Sequence, residues 1–501
     1  MYIKLIENTK KEMIKLKNKL LKNTLIIIST GFIVKIIGML GKIITTRVLG
    51  LDGMSKYALS FPTLLLFVNI AGFSMNNTMS KLVSEAIATK QYSPKILLKK
   101  GIKTTLFVSS ICIIIYLLSL KTITNIFLKD QELSIPLLFG TFLIPLVGIS
   151  DALRGYFNGL KEVKTASISL FLEQLFRTTF SLIGIIIGIK YSIIFATATL
   201  YIALSIGELS SIIYCLIKLG SKKPIHYTNT VGEQKIITKT SSYLTLSKII
   251  GSISYFLEPI IYTNILLYLN YETNFIHNSY TTIDVYTIPL LTIISFIPFS
   301  LSTAIIPHIS ESFVNNEKNK LIFYLKKAFF STLFPAMIFL LIIYFYSNEL
   351  MNLLFKTTKG ANLAKNASIF FIFYYLNIIS SSILQALGRV KFILFNSILN
   401  NILRLLLILV LPFFPIINVN SIFYSIIICI IISAIINLSL VIKTTQFKIP
   451  LKNLFKYLVI FNLSFLSLTL FFHFNINYLL SITIIIILNL FLFILILRKK
   501  L

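Results

Sequence analysis

Apolar runs of about twenty residues recur along the chain, each long enough to carry a helix across a hydrocarbon core of roughly 30 Å. Short polar stretches rich in lysine, asparagine and serine separate them. The pattern predicts helical spans near 24–46, 57–80, 102–120, 135–155, 165–189, 192–217, 241–269, 284–309, 327–347, 364–386, 392–414, 421–442, 454–473 and 478–497. Pro289, Pro298 and Pro307 punctuate the eighth span, and Pro62, Pro145, Pro259 and Pro335 interrupt others. Such breaks are tolerated where neighbouring helices or a cavity satisfy the freed carbonyls. No polar stretch exceeds roughly two dozen residues, too few for a separate soluble core. The expected fold class is an all-α polytopic membrane protein.

Composition agrees with the pattern. Of 501 residues 56% are hydrophobic and 13% charged, with a mean hydropathy of +0.87, so the apolar excess must face lipid. A net charge of +30 would suit a nucleic acid, but its distribution argues for no nucleic-acid partner. Lysine and arginine gather at Lys4–Lys22, Lys81–Lys103, Arg154–Lys164, Lys218–Lys239, Lys318–Lys327, Arg389–Lys391, Lys443–Lys456 and Arg498–Lys500. Residues 270–284, 412–420 and 473–477 contain none. By the positive-inside bias this alternation predicts fourteen spans with both termini in the cytoplasm, and membrane lipids with anionic headgroups as partners. Cys112, Cys215 and Cys429 sit singly in apolar spans and read as small core residues without a disulfide framework or metal spacing. The basic N-terminal stretch runs directly into a full-length span, so no cleavable signal is expected. Tryptophan is absent, which leaves tyrosine as the main interfacial anchor.

The spans also repeat. "LKKGIKTTLF" (Leu98–Phe107) resembles "LKKAFFSTLF" (Leu325–Phe334) at an offset of 227. The same offset places Lys129 on Lys356, Val163–Lys164 on Val390–Lys391 and Arg177 on Arg404. "FSMNNTMSKLVSE" (Phe73–Glu85) matches "FSLSTAIIPHISE" (Phe299–Glu311) at 226, and "KIIG" at Lys35 matches "KIIG" at Lys248 at 213. The expected organisation is a basic segment at 1–23, an N-lobe of six spans at 24–220, a linker at 221–240 and a C-lobe of six spans at 241–443. Two extra helices at 444–501 complete it. Paired repeats of this kind are the architecture of alternating-access transporters, whose site lies near the midplane between halves.

A charge at bilayer depth costs roughly 2.5–3.5 kcal/mol on insertion scales, so each one calls for a partner or a cavity. Lys35, Lys42, Arg177, Lys248 and Arg404 fall within spans, as do Asp151, Glu173, Glu208 and Glu258. Glu173 and Arg177 are one helical turn apart and suit an internal salt bridge. The repeat separates them: Arg404 matches Arg177, but Asn400 stands where Glu173 would be. Arg404 is therefore expected to be free of an acidic partner and to face an anionic substrate group. Lys35 lies too deep for its amine to reach the headgroups easily, whereas Lys42 and Lys248 can snorkel. Glu85, Asp151, Arg154, Glu173, Glu258 and Glu311 are the gating or coupling candidates, with Glu85 and Glu311 pairing with loop lysines. His308 is read as capping or bridging a helix end. Gly184 and Gly188 give a weak helix-packing signal. No cofactor or metal motif is present, and membrane potential, H+ or Na+ are the candidate driving forces.

Several motifs resemble the stage V sporulation protein B type of polysaccharide exporter. They are "RVLGLDGMSKYALSFP" (Arg47–Pro62), "SKLVSE" (Ser80–Glu85), "DALRGYFNGLKEVKTASIS" (Asp151–Ser169) and "EQLFR" (Glu173–Arg177). That type belongs to the MOP superfamily, with the MATE-like transporters and MurJ-like flippases. The resemblance spans essentially the whole chain. It implies a flippase for an undecaprenyl-pyrophosphate-linked saccharide, a peptidoglycan precursor such as lipid II, in the cytoplasmic membrane or the forespore outer membrane. Cell-wall synthesis enzymes would be its partners. By position Lys35 and Arg47 match basic residues of the flippase-type first helix. Gly41 departs from that pattern, since MurJ-type proteins tend to carry a second arginine there. The substrate-binding candidates are thus Lys35, Lys42, Arg47, Arg177, Lys248 and Arg404. Arginine suits pyrophosphate because its planar fork donates two parallel hydrogen bonds, while lysine adds a point charge.

Two alternatives stand beside this reading. A MATE-type drug or metabolite antiporter would favour carboxylates over cations in its cavity. A membrane glycosyltransferase or polymerase usually shows a large outer loop or an acidic pair such as D-x-D, and this chain has neither. A transporter, not an enzyme, is expected.

Overall fold

The structure, a computed structural model, describes residues 2–220, 233–447, 451–474 and 476–498. Residues 221–232 of the expected linker lie outside the described residues, as do Lys499, Lys500 and the side chains of the basic segment 1–23. The chain divides into two compact units, one ending at Phe256 and one beginning at Leu257.

The first unit contains α1 (Tyr2–Ala71), α2 (Met75–Thr89), α3 (Pro94–Lys121), α4 (Ser134–Gly140), α5 (Leu143–Gly159), α6 (Val163–Gly188), α7 (Ile193–Gly220) and the first part of α8 (Glu233–Tyr268). The second contains the rest of α8, then α9 (Thr273–Thr281), α10 (Ile288–Thr292), α11 (Phe296–Val314), α12 (Lys318–Phe355), α13 (Ala361–Ser368) and α14 (Ile372–Ala386). It continues with α15 (Val390–Val410), α16 (Ser421–Thr445), α17 (Leu451–His473) and α18 (Tyr478–Arg498). No strand occurs among the described residues.

The breaks in these helices have local causes. Gly50, at φ +64° and ψ −163°, bends α1 between the first two predicted spans, a conformation open to a residue without Cβ. The second predicted span is interrupted at Phe73 and Ser74, both left-handed, before α2 resumes. The eighth breaks more extensively: a π-turn at Thr282–Thr287 and a 3-10 turn at Ile293–Ser295 separate α9, α10 and α11. The prolines seen in the sequence explain that fragmentation, because each removes an N–H from the helical ladder.

Nine helices among the described residues are long and apolar enough to cross a membrane, and ten if the bent pair α13–α14 counts as one. The expected fourteen is not reached by that measure. Spans one and two run together as Ser29–Thr89, whereas α17 and α18 run for 23 and 21 residues. Span eight is split between the 5-residue α10 and the 19-residue α11. Apolar side chains such as Leu118, at 78% exposure, cover the outside as lipid-facing surface.

The internal repeat is visible in the backbone. Lys90 (φ +57°) and Asn316 (φ +56°) are left-handed at an offset of 226, and Lys129 (φ +57°) and Lys356 (φ +55°) at 227. Lys161 (φ +60°) and Gly388 (φ +73°) form a third pair at 227, and their turns close by matching bonds. Glu162 N donates to Phe157 O at 2.9 Å, as Arg389 N does to Leu384 O.

Two apolar clusters build the first unit. One packs Leu64, Tyr116, Leu137, Ile144 and Tyr201; the other packs Met79, Leu82, Leu153, Phe157 and Cys215. The second unit has its own core around Ile309, Leu325, Ile383 and Val441. Gly184 and Gly188 bear out the packing signal. A Cβ at Gly184 would lie 2.8 Å from Thr199 Cβ, and one at Gly188 2.6 Å from Ala196 Cα, so α6 and α7 meet almost backbone to backbone.

Candidate functional site

The buried charge of the first unit collects where α5, α6 and α7 meet. Gly207 permits it: a Cβ there would lie 2.8 Å from the Glu173 carbonyl and 3.1 Å from Arg177 Cβ. On α5, Ser150, Asp151 and Arg154 fall on one face at helical spacing. The next turn is held close to α2 because Gly155 has no Cβ to strike the Asn76 carbonyl.

Arg154, only 5% exposed, is the hub. Its Nη1 donates to Glu173 Oε2. Its Nη2 donates to Ser150 Oγ at 2.8 Å and lies 3.3 Å from Glu208 Oε2 and 3.4 Å from Asp151 Oδ1. Ser150 Oγ in turn donates to Glu208. The other oxygen of Glu173 accepts from Arg177 Nη2, which also lies 4.0 Å from Glu208 Oε1. The i, i+4 bridge expected between Glu173 and Arg177 is therefore present, but Glu173 is shared with a second arginine from another helix. Two guanidinium groups face Glu173 and Glu208, so these four charges balance. Asp151 adds a fifth. Its carboxylate lies 3.5 Å from Asn76 Nδ2, beside the first turn of α2, where the helix dipole favours an anion.

In the second unit Arg404 Nη2 donates to Glu258 Oε1 at 2.6 Å, joining α15 to α8. This corrects the expectation that Arg404 lacks an acidic partner. Spacing within one helix reveals only the i, i+4 neighbour, here Asn400, whereas Glu258 arrives from 146 residues away. The positions matching the other members of the first-unit junction are neutral. At the 227 offset Ser150, Arg154 and Glu173 become Asn377, Ser381 and Asn400. Asn437 Nδ2 donates to Asn377 Oδ1 at 2.7 Å and to Ser381 Oγ at 2.9 Å, and Asn396 Nδ2 donates to Asn437 Oδ1 at 2.9 Å. An ionic junction in one half is an amide and hydroxyl junction in the other.

Lys35, Lys42 and Arg47 are exposed on α1. The stretch between the two lysines packs on α6 beside Arg177: a Cβ at Gly38 would lie 3.3 Å from Gln174 Nε2, and one at Gly41 2.6 Å from Thr178 Cγ2. The departure at Gly41 thus has a packing reason, because a long side chain there would collide with α6. Lys248 is exposed, as snorkelling requires. Glu85 lies 3.8 Å from Lys81, and both are exposed. Glu311 is exposed, and His308 stacks on Tyr324 with centroids 5.0 Å apart. Among the described residues no group of three or more His, Cys, Asp and Glu could hold a metal ion.

Sequence reasoning counted Glu208 among the intramembrane acids but gave it no role. The available signal was its place beside Gly207 in an otherwise apolar span. Arg177 and Arg404 share a geometry: each is anchored through Nη2, and no described residue engages Nη1. Their side chains are 31% and 27% exposed. A guanidinium exposed at membrane depth needs water or an anionic ligand rather than hydrocarbon.

All-helical, multi-pass and written as two repeats, each with its own buried ion pairs, the chain has the architecture of a MOP-superfamily transporter. It belongs to the polysaccharide biosynthesis protein family, whose profile matches residues 20–313; the MatE profile matches residues 284–410. It is 28% identical over 445 residues to stage V sporulation protein B of Bacillus subtilis, covering 87% of this chain and 86% of that one. It is 23% identical over 428 residues to the lipid II flippase MurJ of the same organism, covering 78% and 77%. An inward-facing MATE-family multidrug resistance transporter of the MOP superfamily shares its fold with a TM-score of 0.64 at 12% identity, covering 84% and 98%.

Proposed function

We propose that this chain is a flippase that translocates an undecaprenyl-pyrophosphate-linked saccharide across the cytoplasmic membrane by alternating access. The cargo is a peptidoglycan precursor such as lipid II, serving spore cortex or cell wall alongside cell-wall synthesis enzymes. Both termini are cytoplasmic, six-helix lobes at 24–220 and 241–443 carry the transport cycle, and the chain catalyses no covalent step. One observation carries the reading. Arg177 and Arg404, at matched repeat positions, each donate through Nη2 to one carboxylate, Glu173 and Glu258, while no described residue hydrogen-bonds Nη1. An open fork on a fixed base suits a phosphate oxygen pair. Lys35, Lys42, Arg47 and Lys248 add positive charge, and the relatedness to stage V sporulation protein B and MurJ supports the substrate class.

The MATE-type antiporter remains the second reading, favoured by the acid excess in the first unit, where Asp151, Glu173 and Glu208 outnumber Arg154 and Arg177. Proteoliposomes carrying the full chain decide between them. Flipping of lipid II or another polyprenyl-linked saccharide is expected, with rescue of a flippase-deficient strain. Export of cationic dyes with no saccharide movement would overturn the proposal.

A further inference from the structure

We propose that Arg154 sets the charge specificity of the first-unit site, occupying the carboxylates that would otherwise repel an anion from Arg177. This rests on the flippase reading and extends it to a positioning residue that does not itself meet the cargo. Arg177 lies within reach of two carboxylates, Glu173 and Glu208. Left alone with them it would be an over-neutralised cation, and the site would attract positive rather than negative ligands. Arg154 offsets Glu173 and Glu208 from the buried side, and Asp151, the third acid, is placed against Asn76 and the first turn of α2. Arg154 takes the far oxygen of Glu173 and lies 3.3 Å from the far oxygen of Glu208, while Ser150 bonds that same oxygen. The near oxygens, Glu173 Oε1 and Glu208 Oε1, are left to aim Arg177. At 5% exposure Arg154 is too enclosed to bind cargo, whereas Arg177 at 31% is not. In the second unit Arg404 is bonded to Glu258 from another helix, and the position equivalent to Arg154 is the neutral Ser381.

The test uses the full chain in detergent, with undecaprenyl pyrophosphate as the anionic probe and ethidium as the cationic one. Arg154→Gln is expected to weaken undecaprenyl pyrophosphate binding by about tenfold, the equivalent of ~1.4 kcal/mol, and to strengthen ethidium binding. Arg154→Lys keeps the charge and retains most of the affinity. Arg154→Gln combined with Glu208→Gln removes one charge of each sign and restores anion binding, which simple loss of structure would not do. Glu208→Gln alone, which leaves Arg154 in place, tightens anion binding and keeps the question answerable if Arg154→Gln misfolds. Wild-type affinity in Arg154→Gln, or no tightening in Glu208→Gln, overturns the assignment while leaving the flippase reading intact. If the wild type ignores undecaprenyl pyrophosphate but Arg154→Gln still gains ethidium, the cargo class falls and the role of Arg154 stands.

Discussion

Arg404 reaches Glu258 across two helices at 2.6 Å, while its repeat mate Arg177 is held by Glu173 from its own helix. Arg404→Ala would leave a buried carboxylate without its counter-ion, at a cost of about 3–5 kcal/mol. The expected outcome is a lowered thermal midpoint in detergent. Converting both Glu258 and Arg404 to glutamine removes the charges together and recovers most of the stability, yet fails to complement a flippase-deficient strain. A double variant that melts normally and also complements would remove Arg404 from the binding site.

The approach of α7 to α6 depends on Gly207. A methyl group there meets the Glu173 carbonyl at 2.8 Å, and a backbone atom cannot rotate aside. Gly207→Ala is expected to shift α7 and lower both the melting temperature and complementation. Gly220→Ala, on the same helix with nothing within 4 Å, serves as the matched control and should behave as wild type.

Lys161 and Gly388 occupy the same left-handed turn in the two repeats. A side chain in that conformation costs roughly 1–2 kcal/mol. Substitutions at the two sites therefore have opposite signs: Lys161→Gly stabilises and Gly388→Ala destabilises, each by about 1 kcal/mol. Denaturant titration of both variants measures the pair, and changes of the same sign would contradict the shared geometry.

The beginning of α8 is fastened to the first unit by an ion pair from Lys100 on α3 to the fully buried Glu233, and by a 2.7 Å bond from Gln234 Nε2 to Thr104 Oγ1. Lys100→Ala strands the carboxylate, so amide exchange of residues 233–241 should accelerate while α3 itself stays protected. Unchanged exchange in that segment would show that apolar packing around Ile237 suffices.

Much of this was legible in the sequence because membrane helices obey one-dimensional rules. Run length reported the apolar helices, though not their number, and proline spacing the broken eighth span. The repeat was readable because left-handed turns such as Lys129 and Lys356 sit at conserved chain offsets. Local ion pairing was readable as well, since Glu173 and Arg177 are neighbours on one helix.

What the sequence determined by itself was that Glu173, Glu208 and Glu258 stand in apolar helices. It placed Arg154, which the structure buries, among the loop cations, and Lys35, Lys42 and Lys248, which the structure leaves exposed, within spans. Which charge meets which was decided only by tertiary structure. Glu208 joins Arg154 and Arg177 because Gly207 lets α7 close on α6, and Glu258 finds Arg404 from 146 residues away. The physical reason is the low dielectric of the membrane interior. There a charge must be neutralised by whatever lies within a few ångströms, and helix packing, not chain order, sets those distances.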